Sequence, residues 1–150
     1  MNYFTEKWAK GELSDKNYLK VIDSYWNNLE KNINQLPGQA YLFAKNIDLH
    51  DGLIKQIKYE DNSDIELIIT CGDIQEGYSE ISIKYTSSTI IPDTFREVSG
   101  EIKQHRFEIM SDEIDISDNL FVHRFLLFPF REFEIYYSGF NYKKIGVKDR

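Results

Sequence analysis

The sequence predicts an α+β fold, in which an N-terminal amphipathic helix packs on a twisted, mostly antiparallel sheet of about six or seven strands. Before residue 36, apolar residues recur at steps of three and four, whereas after residue 50 they alternate or run together in short segments. The connections between these segments are short, which favours antiparallel neighbours. The 150 residues suit a single domain, spanning positions 1–150, with its own hydrophobic core.

The long helix comes first. Ser14 or Asp15 can cap its start, and residues 36–38, Leu-Pro-Gly, end it. Its apolar residues form one broad stripe, which consists of Tyr18, Leu19, Ile22, Tyr25, Trp26, Leu29 and Ile33. Because no second long helix is predicted, we expect this stripe to pack on the sheet. A short helical turn is predicted at residues 5–10, and residues 39–46 fit either a short helix or a strand.

The rest of the chain is predicted to form strands. They cover residues 53–59, 65–70, 79–85, 101–110, 120–128 and 132–140, with 142–147 as a last edge segment. Two glycines mark residues 71–78 as a turn, and Pro92-Asp93 breaks the run that precedes it. The acidic residues 112–119 are predicted to form a connection rather than a strand.

The charge of the chain is acidic and uneven. The formal net charge is −7, with seven acidic residues and no Lys or Arg at positions 60–80, and five more without a base at positions 107–119. Such a surface repels phosphate backbones, so nucleic-acid binding is disfavoured. It can attract a cationic protein and speed the encounter, or it can simply keep the chain soluble.

Neither a membrane span nor a disulfide is predicted. A transmembrane helix needs about 20 apolar residues in a row, and the sequence has no such run. The N-terminus lacks the form of a signal peptide, which predicts a cytoplasmic protein. The single cysteine, Cys71, excludes an internal disulfide and favours a structural role, although a neighbouring His105 or His123 would make it reactive.

His50-Asp51-Gly52 is the first candidate for chemistry. A metal-dependent hydrolase could use His50 and Asp51 with a further histidine, and His50, His105 and His123 are one possible ligand set. The alternative is a turn that leads into a strand. Asp-Gly is a turn dipeptide in which Gly52 can adopt positive φ while Asp51 accepts backbone hydrogen bonds. The spacing of the three histidines does not support a metal site, so the sequence favours the turn.

His123-Arg124 lies in the middle of a predicted strand between apolar neighbours. We expect one of the pair to point inward and to meet Glu132 or Glu134 across the hairpin. A general base is disfavoured because no nucleophile pattern accompanies it. Near the last strand lie four aromatic residues that fit either a protein interface or the core: Tyr136, Tyr137, Phe140 and Tyr142.

Three sequence features follow the long helix in a recognisable order. They are L-H-D-G-L-I at residues 49–54, Gly77-Tyr78, and H-R-F-L-L-F with E-F-E-I-Y-Y between residues 123 and 137. Over residues 36–140 this order resembles small bacterial domains that are similar to immunity proteins of contact-dependent and other polymorphic toxin systems. The resemblance implies a cytoplasmic inhibitor that binds one cognate toxin, and it brings no catalytic residues. Many such toxins are basic nucleases, which an acidic chain suits.

We therefore predict an immunity protein that occludes a basic toxin domain and that has no catalytic residue, metal ligand or cofactor. The predicted partner contacts are the acidic residues Asp61, Asp64, Asp112, Glu113, Asp115 and Asp118. Two alternatives stay open. One is a small metal-dependent hydrolase that uses His50 and Asp51, and the other is a small-ligand-binding module inside a curled sheet.

Overall fold

A computed structural model of the chain describes residues 1–60, 63–75, 77–90, 92–102 and 106–148. The N-terminal part is helical and consists of α1 (Glu6–Ala9), α2 (Asp15–Asn32), a 3-10 turn (Ile33–Gln35) and α3 (Ala40–Asn46). The predicted long helix and the short turn before it are confirmed. The segment at residues 39–46, which fitted either a helix or a strand, is helical.

The strands and the last helix occupy the rest of the chain. They are β1 (Leu53–Glu60), β2 (Asp64–Asp73), β3 (Gly77–Thr86), β4 (Thr89–Ile90), α4 (Pro92–Glu101), β5 (Glu108–Ser117), β6 (Leu120–Phe128), β7 (Arg131–Tyr137) and β8 (Gly139–Val147). All observed strand pairs are antiparallel. The α+β prediction is therefore confirmed, with seven full strands and the two-residue β4.

The sheet consists of two meanders, β1-β2-β3-β8 and β5-β6-β7, whose adjoining edges pair at a single position. Its strand order is β4-β7-β6-β5-β1-β2-β3-β8, and β1 pairs with β5 only at Leu53 and Glu108. The sheet curls, because Ser138 alone joins β7 to β8 although these strands lie near opposite ends of that order. The Ser138 N–H donates to the Thr86 carbonyl at the end of β3, at 3.1 Å. The curl brings the two meanders face to face and leaves a split between β1 and β5.

The hydrophobic core lies between the facing meanders. On β3, Ile83 and Tyr85 are completely buried, and the rings of Tyr85 and Tyr137 of β7 lie 5.4 Å apart. Phe43 of α3 is also completely buried, and its ring meets the edge of Phe140 of β8 at 5.2 Å. The period-two alternation read from residues 79–85 and 132–140 therefore assigns the correct face of both strands to the core.

Three predicted boundaries are wrong. Residues 71–73 continue β2, so the predicted turn at 71–78 is shorter. Pro92 begins a helix instead of only ending a strand, because proline is favoured at the first helical position. The predicted strand at residues 101–110 starts only at Glu108, since Glu101 ends α4. Residues 103–105, and with them His105, lie outside the described part of the chain.

The predicted acidic connection at residues 112–119 is also wrong. Residues 112–117 belong to β5, and only Asp118 and Asn119 form the turn to β6. Both have positive φ, 51° and 63°, as a two-residue hairpin turn of the primed type requires. The charged residues alternate with the apolar Ile114 and Ile116, so the strand pattern is present beneath the charges.

A three-strand polar cluster makes stability depend on pH. The Lys58 ammonium donates to Glu66 Oε2 at 2.7 Å, and the Ser82 hydroxyl donates to Glu66 Oε1 at 2.6 Å. The bond from Lys58, and then that from Ser82, lowers the pKa of Glu66 below its ordinary value of 4.5. A lowered folded-state pKa stabilises the fold above the unfolded value, and this contribution is lost as pH falls through the folded value.

Replacing Lys58 with methionine is therefore expected to lower the free energy of unfolding at pH 7 by at most about 1 kcal/mol, because the pair is partly exposed. The loss should shrink as pH falls below the ordinary value of 4.5 and through the lowered pKa of folded Glu66. Urea unfolding between pH 3 and 7 measures it, with the exposed Lys55→Met on the same strand as the control. A loss that stays the same at pH 3 would contradict the assignment.

Candidate functional site: a groove at the split in the sheet

Two of the predicted partner contacts, Glu113 and Asp115, are buried. Glu113 has 0% exposure, and its carboxylate accepts the backbone N–H groups of Asn2, Tyr3 and Phe4 at 2.7–2.9 Å. It therefore holds the N-terminal segment against β5. A carboxylate so enclosed cannot contact a partner in this conformation, which corrects its assignment to an exposed acidic surface.

Asp115 serves the same internal purpose for α2. Its Oδ1 accepts a hydrogen bond from the Asn28 side-chain amide at 2.8 Å, and its Oδ2 lies 3.2 Å from Arg124 Nη1. Arg124 Nη1 is also 3.7 Å from Glu113 Oε2, and Arg124 Nε is 3.3 Å from Glu134 Oε1. The expected pairing across the hairpin is thus confirmed for Glu134. The buried guanidinium thus lies within 4 Å of both carboxylates that were predicted to be on the surface.

The other predicted contacts do not form one surface. Asp64 accepts the Ser87 N–H at 3.1 Å and lies 3.5 Å from Lys84 Nζ, at the start of β2. Asp118 is exposed in the turn between β5 and β6. Asp112 lies on β5, six residues before Asp118, which for an extended chain is about 20 Å. Asp61 lies outside the described residues.

Asp112 lies instead in a groove at the split between β1 and β5. This groove, called the α2 groove below, has a cavity volume of about 400 Å³. Its walls and floor come from the N-terminal segment, α2, α3, the loop after α3 and β5, and include Phe4, Tyr25, Trp26, Lys45, Asp48 and Asp112. The split creates it, because among the described strands none pairs with β5 beyond Glu108 on that side, where α2 contacts β5 instead.

Tyr25 shows how α2 covers this open edge. Its side chain is buried, and its hydroxyl accepts the backbone N–H of Ile114 at 3.2 Å. Burial, and then the negative charge of Asp112, raises the pKa of Tyr25 well above its ordinary value, so the hydroxyl keeps its proton. The tyrosine therefore replaces a missing strand as acceptor and still has a proton to donate.

A buried hydrogen-bonded chain runs from the core to the α2 groove. The Tyr85 hydroxyl lies 2.7 Å from His123 Nδ1, and His123 Nε2 lies 2.8 Å from Asp112 Oδ2. Complete burial raises the pKa of Tyr85, so its hydroxyl keeps its proton. A carboxylate only accepts hydrogen bonds, so the Nε2–H of His123 donates to Asp112. His123 has no exposed surface, so only the carboxylate of Asp112 faces a molecule in the groove.

His50-Asp51-Gly52 forms the predicted turn. The Asp51 N–H donates to the Ile109 carbonyl at 2.9 Å, and the Ile109 N–H donates to the Gly52 carbonyl at 2.8 Å, so the turn docks on β5. The residue with positive φ is Asp51 rather than Gly52, and Asp48 rather than Asp51 accepts a turn N–H, that of His50. Across the described residues, no three His, Cys, Asp or Glu side chains are placed to hold a metal ion.

Gly52 is needed for close packing. A Cβ added there would lie 2.7 Å from the Leu49 carbonyl oxygen, 2.8 Å from Cys71 Sγ and 2.9 Å from a methyl group of Ile69. The buried Cys71 is thus a packing residue at this site. Gly52→Ala is expected to destabilise the fold by about 1–3 kcal/mol through overpacking. Thermal unfolding measures it, with Gly146→Ala in open space as the control; equal losses would contradict the packing role.

The apolar stripe of α2 is only half covered. Tyr25 and Leu29 are buried, whereas Leu19 is 59% exposed and Trp26 is 48% exposed. Tyr18 is also exposed, and its ring stacks on Trp8 at 4.8 Å. The predicted packing of the stripe on the sheet is therefore confirmed for Tyr25 and Leu29, but not for Leu19 and Trp26. The width of the stripe could have predicted this partial exposure, because the stripe is broader than the edge of β5 that it contacts.

Near the last strand, Tyr137 and Phe140 are buried, and Tyr136 and Tyr142 are half-buried, so the core explains these aromatics better than an interface does.

No family model, curated protein sequence or solved structure matches this chain. Within the described ranges, each helix is too short or too polar to cross a lipid bilayer.

Proposed function

We propose that this chain is an immunity protein, which binds a cognate basic toxin domain in the cytoplasm and neutralises it by covering its active site. The observation that supports this best is the uncovered side of α2 beside the α2 groove. The exposed Leu19 and Trp26, with the half-buried Ile22 between them, lie at steps of three and four and therefore share one side of the helix. We call this surface the exposed α2 face.

An exposed apolar surface next to a groove is typical of a protein-binding site. Tryptophan is enriched among the residues that dominate binding energy, especially where it lies beside a pocket that a partner can fill. Five of the exposed large apolar residues lie on α2 and α3, namely Tyr18, Leu19, Trp26, Tyr41 and Leu42. We infer that the toxin docks on this helical side rather than on the acidic turns.

The net charge of −7 supports a basic partner, since opposite charge speeds the encounter of two proteins. It argues equally against a nucleic-acid ligand. The acids that fold into the interior are paired with Arg124, so the steering charge comes from the exposed carboxylates, including Asp48 and Asp118. We assign the chain no catalytic step, because the buried His123 cannot reach a substrate.

The test is calorimetric titration of the chain with the basic toxin domain encoded beside it. We expect tight binding whose association rate falls as salt rises. Trp26→Ala should weaken binding by about 2 kcal/mol or more, or at least about 30-fold. Phe128→Ala is the matched control, since Phe128 is similarly exposed but lies on β6. No binding to a basic toxin, or equal losses in the two variants, would overturn the proposal.

A small-ligand-binding role is the second candidate, because the volume of the α2 groove falls within the usual range for ligand pockets, roughly 300–1,000 Å³. A thermal-shift screen of metabolites separates the two functions. A stabilising metabolite that competes with no protein partner would favour the ligand-binding role.

A further inference from the structure

We propose that the α2 groove binds one arginine side chain of the partner protein, with Asp112 as its anion and Trp26 as its stacking surface. This inference rests on the proposed function, because it names the chemistry with which the partner would enter the site. It concerns a single pocket, so it can be tested separately from inhibition of a toxin.

The position and hydrogen bonding of Asp112 favour the binding of a cation. Its side chain is 20% exposed, and its Oδ2 already accepts a hydrogen bond from His123 Nε2. Its second oxygen, Oδ1, receives no hydrogen bond from the described part of the chain. The buried His123 lies in turn 2.7 Å from the Tyr85 hydroxyl, so the Asp112 carboxylate is held in place from behind. A fixed, partly desolvated carboxylate with a vacant oxygen favours a charged donor.

The aromatic walls suit a planar cation. Trp26 offers a half-exposed indole at the rim, and Phe4 and Tyr25 line the interior. A guanidinium is planar, weakly hydrated and stacks on aromatic rings, whereas an ammonium is compact and strongly hydrated.

Asp48, Lys45 and His50 also line the α2 groove and affect its charge. Asp48 adds a second acid, and His50 lies at the rim beside Asp51, 3.0 Å from its carboxylate. Lys45 is the competing cation, but it is exposed and has no ion pair within 4 Å among the described residues. Two carboxylates against one exposed ammonium leave the groove negative in net charge, which complements an arginine.

The test uses the full chain and a simple probe, N-acetyl-arginine amide, with its neutral isostere N-acetyl-citrulline amide. The indole N–H signals of Trp26 and Trp8 are followed by NMR, and Trp26→Phe assigns them. We expect a saturable shift of the Trp26 signal with the arginine probe and none with citrulline. Asp112→Asn should weaken this response at least tenfold, because it removes the charge while keeping an oxygen that accepts from His123.

Asp118→Asn is the matched control, since it removes one carboxylate far from the α2 groove. Thermal unfolding checks that both variants are folded, and Asp48→Asn serves as a second groove variant if Asp112→Asn is not. Equal shifts with both probes, no shift at all, or equal responses in Asp112→Asn and Asp118→Asn would overturn the inference. Arginine binding without any toxin partner would leave the groove assignment standing and refute the proposed function. Toxin binding that Asp112→Asn does not weaken would do the reverse.

Discussion

Replacing Arg124 with methionine is expected to lower the free energy of unfolding by about 3–5 kcal/mol. Arg124 is 2% exposed and lies within 4 Å of Glu113, Asp115 and Glu134. Methionine fills much of the same volume but leaves the buried carboxylates without a counter-charge. Breaking a buried ion pair from one side is far more costly than replacing the whole set, since the remaining charges stay desolvated.

Urea unfolding at pH 7 measures the loss. Arg131→Met is the control, because Arg131 is exposed and its Nη1 donates to the Phe130 carbonyl at 3.0 Å. The control should change the unfolding free energy by less than about 0.5 kcal/mol. Adding Glu113→Gln and Asp115→Asn to Arg124→Met should restore part of the loss, because the variant then buries no unpaired charge. A loss below 1.4 kcal/mol (about tenfold in the unfolding equilibrium) would show that water or a rearrangement compensates the carboxylates.

Phe43→Ala is the second large effect that we expect, at about 3–5 kcal/mol. Phe43 has no exposed surface, and its ring lies 5.2 Å from those of Phe140 and Tyr142 and 5.8 Å from that of His123. It is the buried anchor of a helix of only seven residues. Such a short helix has little stability of its own, so its position depends on this packing.

The measurement is chemical unfolding, with Phe128→Ala as the matched control at a 51% exposed position. Because α3 supplies Lys45 to the α2 groove, the Trp26 indole signal should also shift in Phe43→Ala. A loss no greater than in the control would mean that α3 is held by its backbone contacts, such as the Gln39 N–H to the Phe140 carbonyl.

Periodicity predicted most of the secondary structure. The steps of three and four before residue 36 and the alternation at residues 79–85 and 132–140 reflect burial on one side of each element, which any packed core requires. The errors occur where local composition opposed the pattern. On β5, Asp112, Glu113 and Asp115 made the strand resemble a loop, and at α4 Pro92 resembled a break.

The candidate site could be predicted only in part. The sequence identified Asp112, but as one member of a surface with Glu113 and Asp115. Neighbouring residues of a strand point to opposite faces, so Glu113 and Asp115 meet Arg124 while Asp112 meets His123. Trp26 was predicted to pack on the sheet, but it is exposed. A helical stripe does not reveal how much of its surface the rest of the chain can cover.

The sequence by itself determined the class of the fold, the face of each regular strand that enters the core, and the excess of negative charge, because these properties depend on residues close together in the chain. The tertiary structure decided which acids are internal, where the sheet splits, and which side of α2 stays exposed. These depend on contacts between residues as distant as Tyr25, Lys45 and Asp112, and on one buried arginine whose partners lie on the two neighbouring strands. A local pattern holds no information about such distant neighbours. Their contacts bury Glu113 and Asp115 and leave the Asp112 carboxylate in the α2 groove.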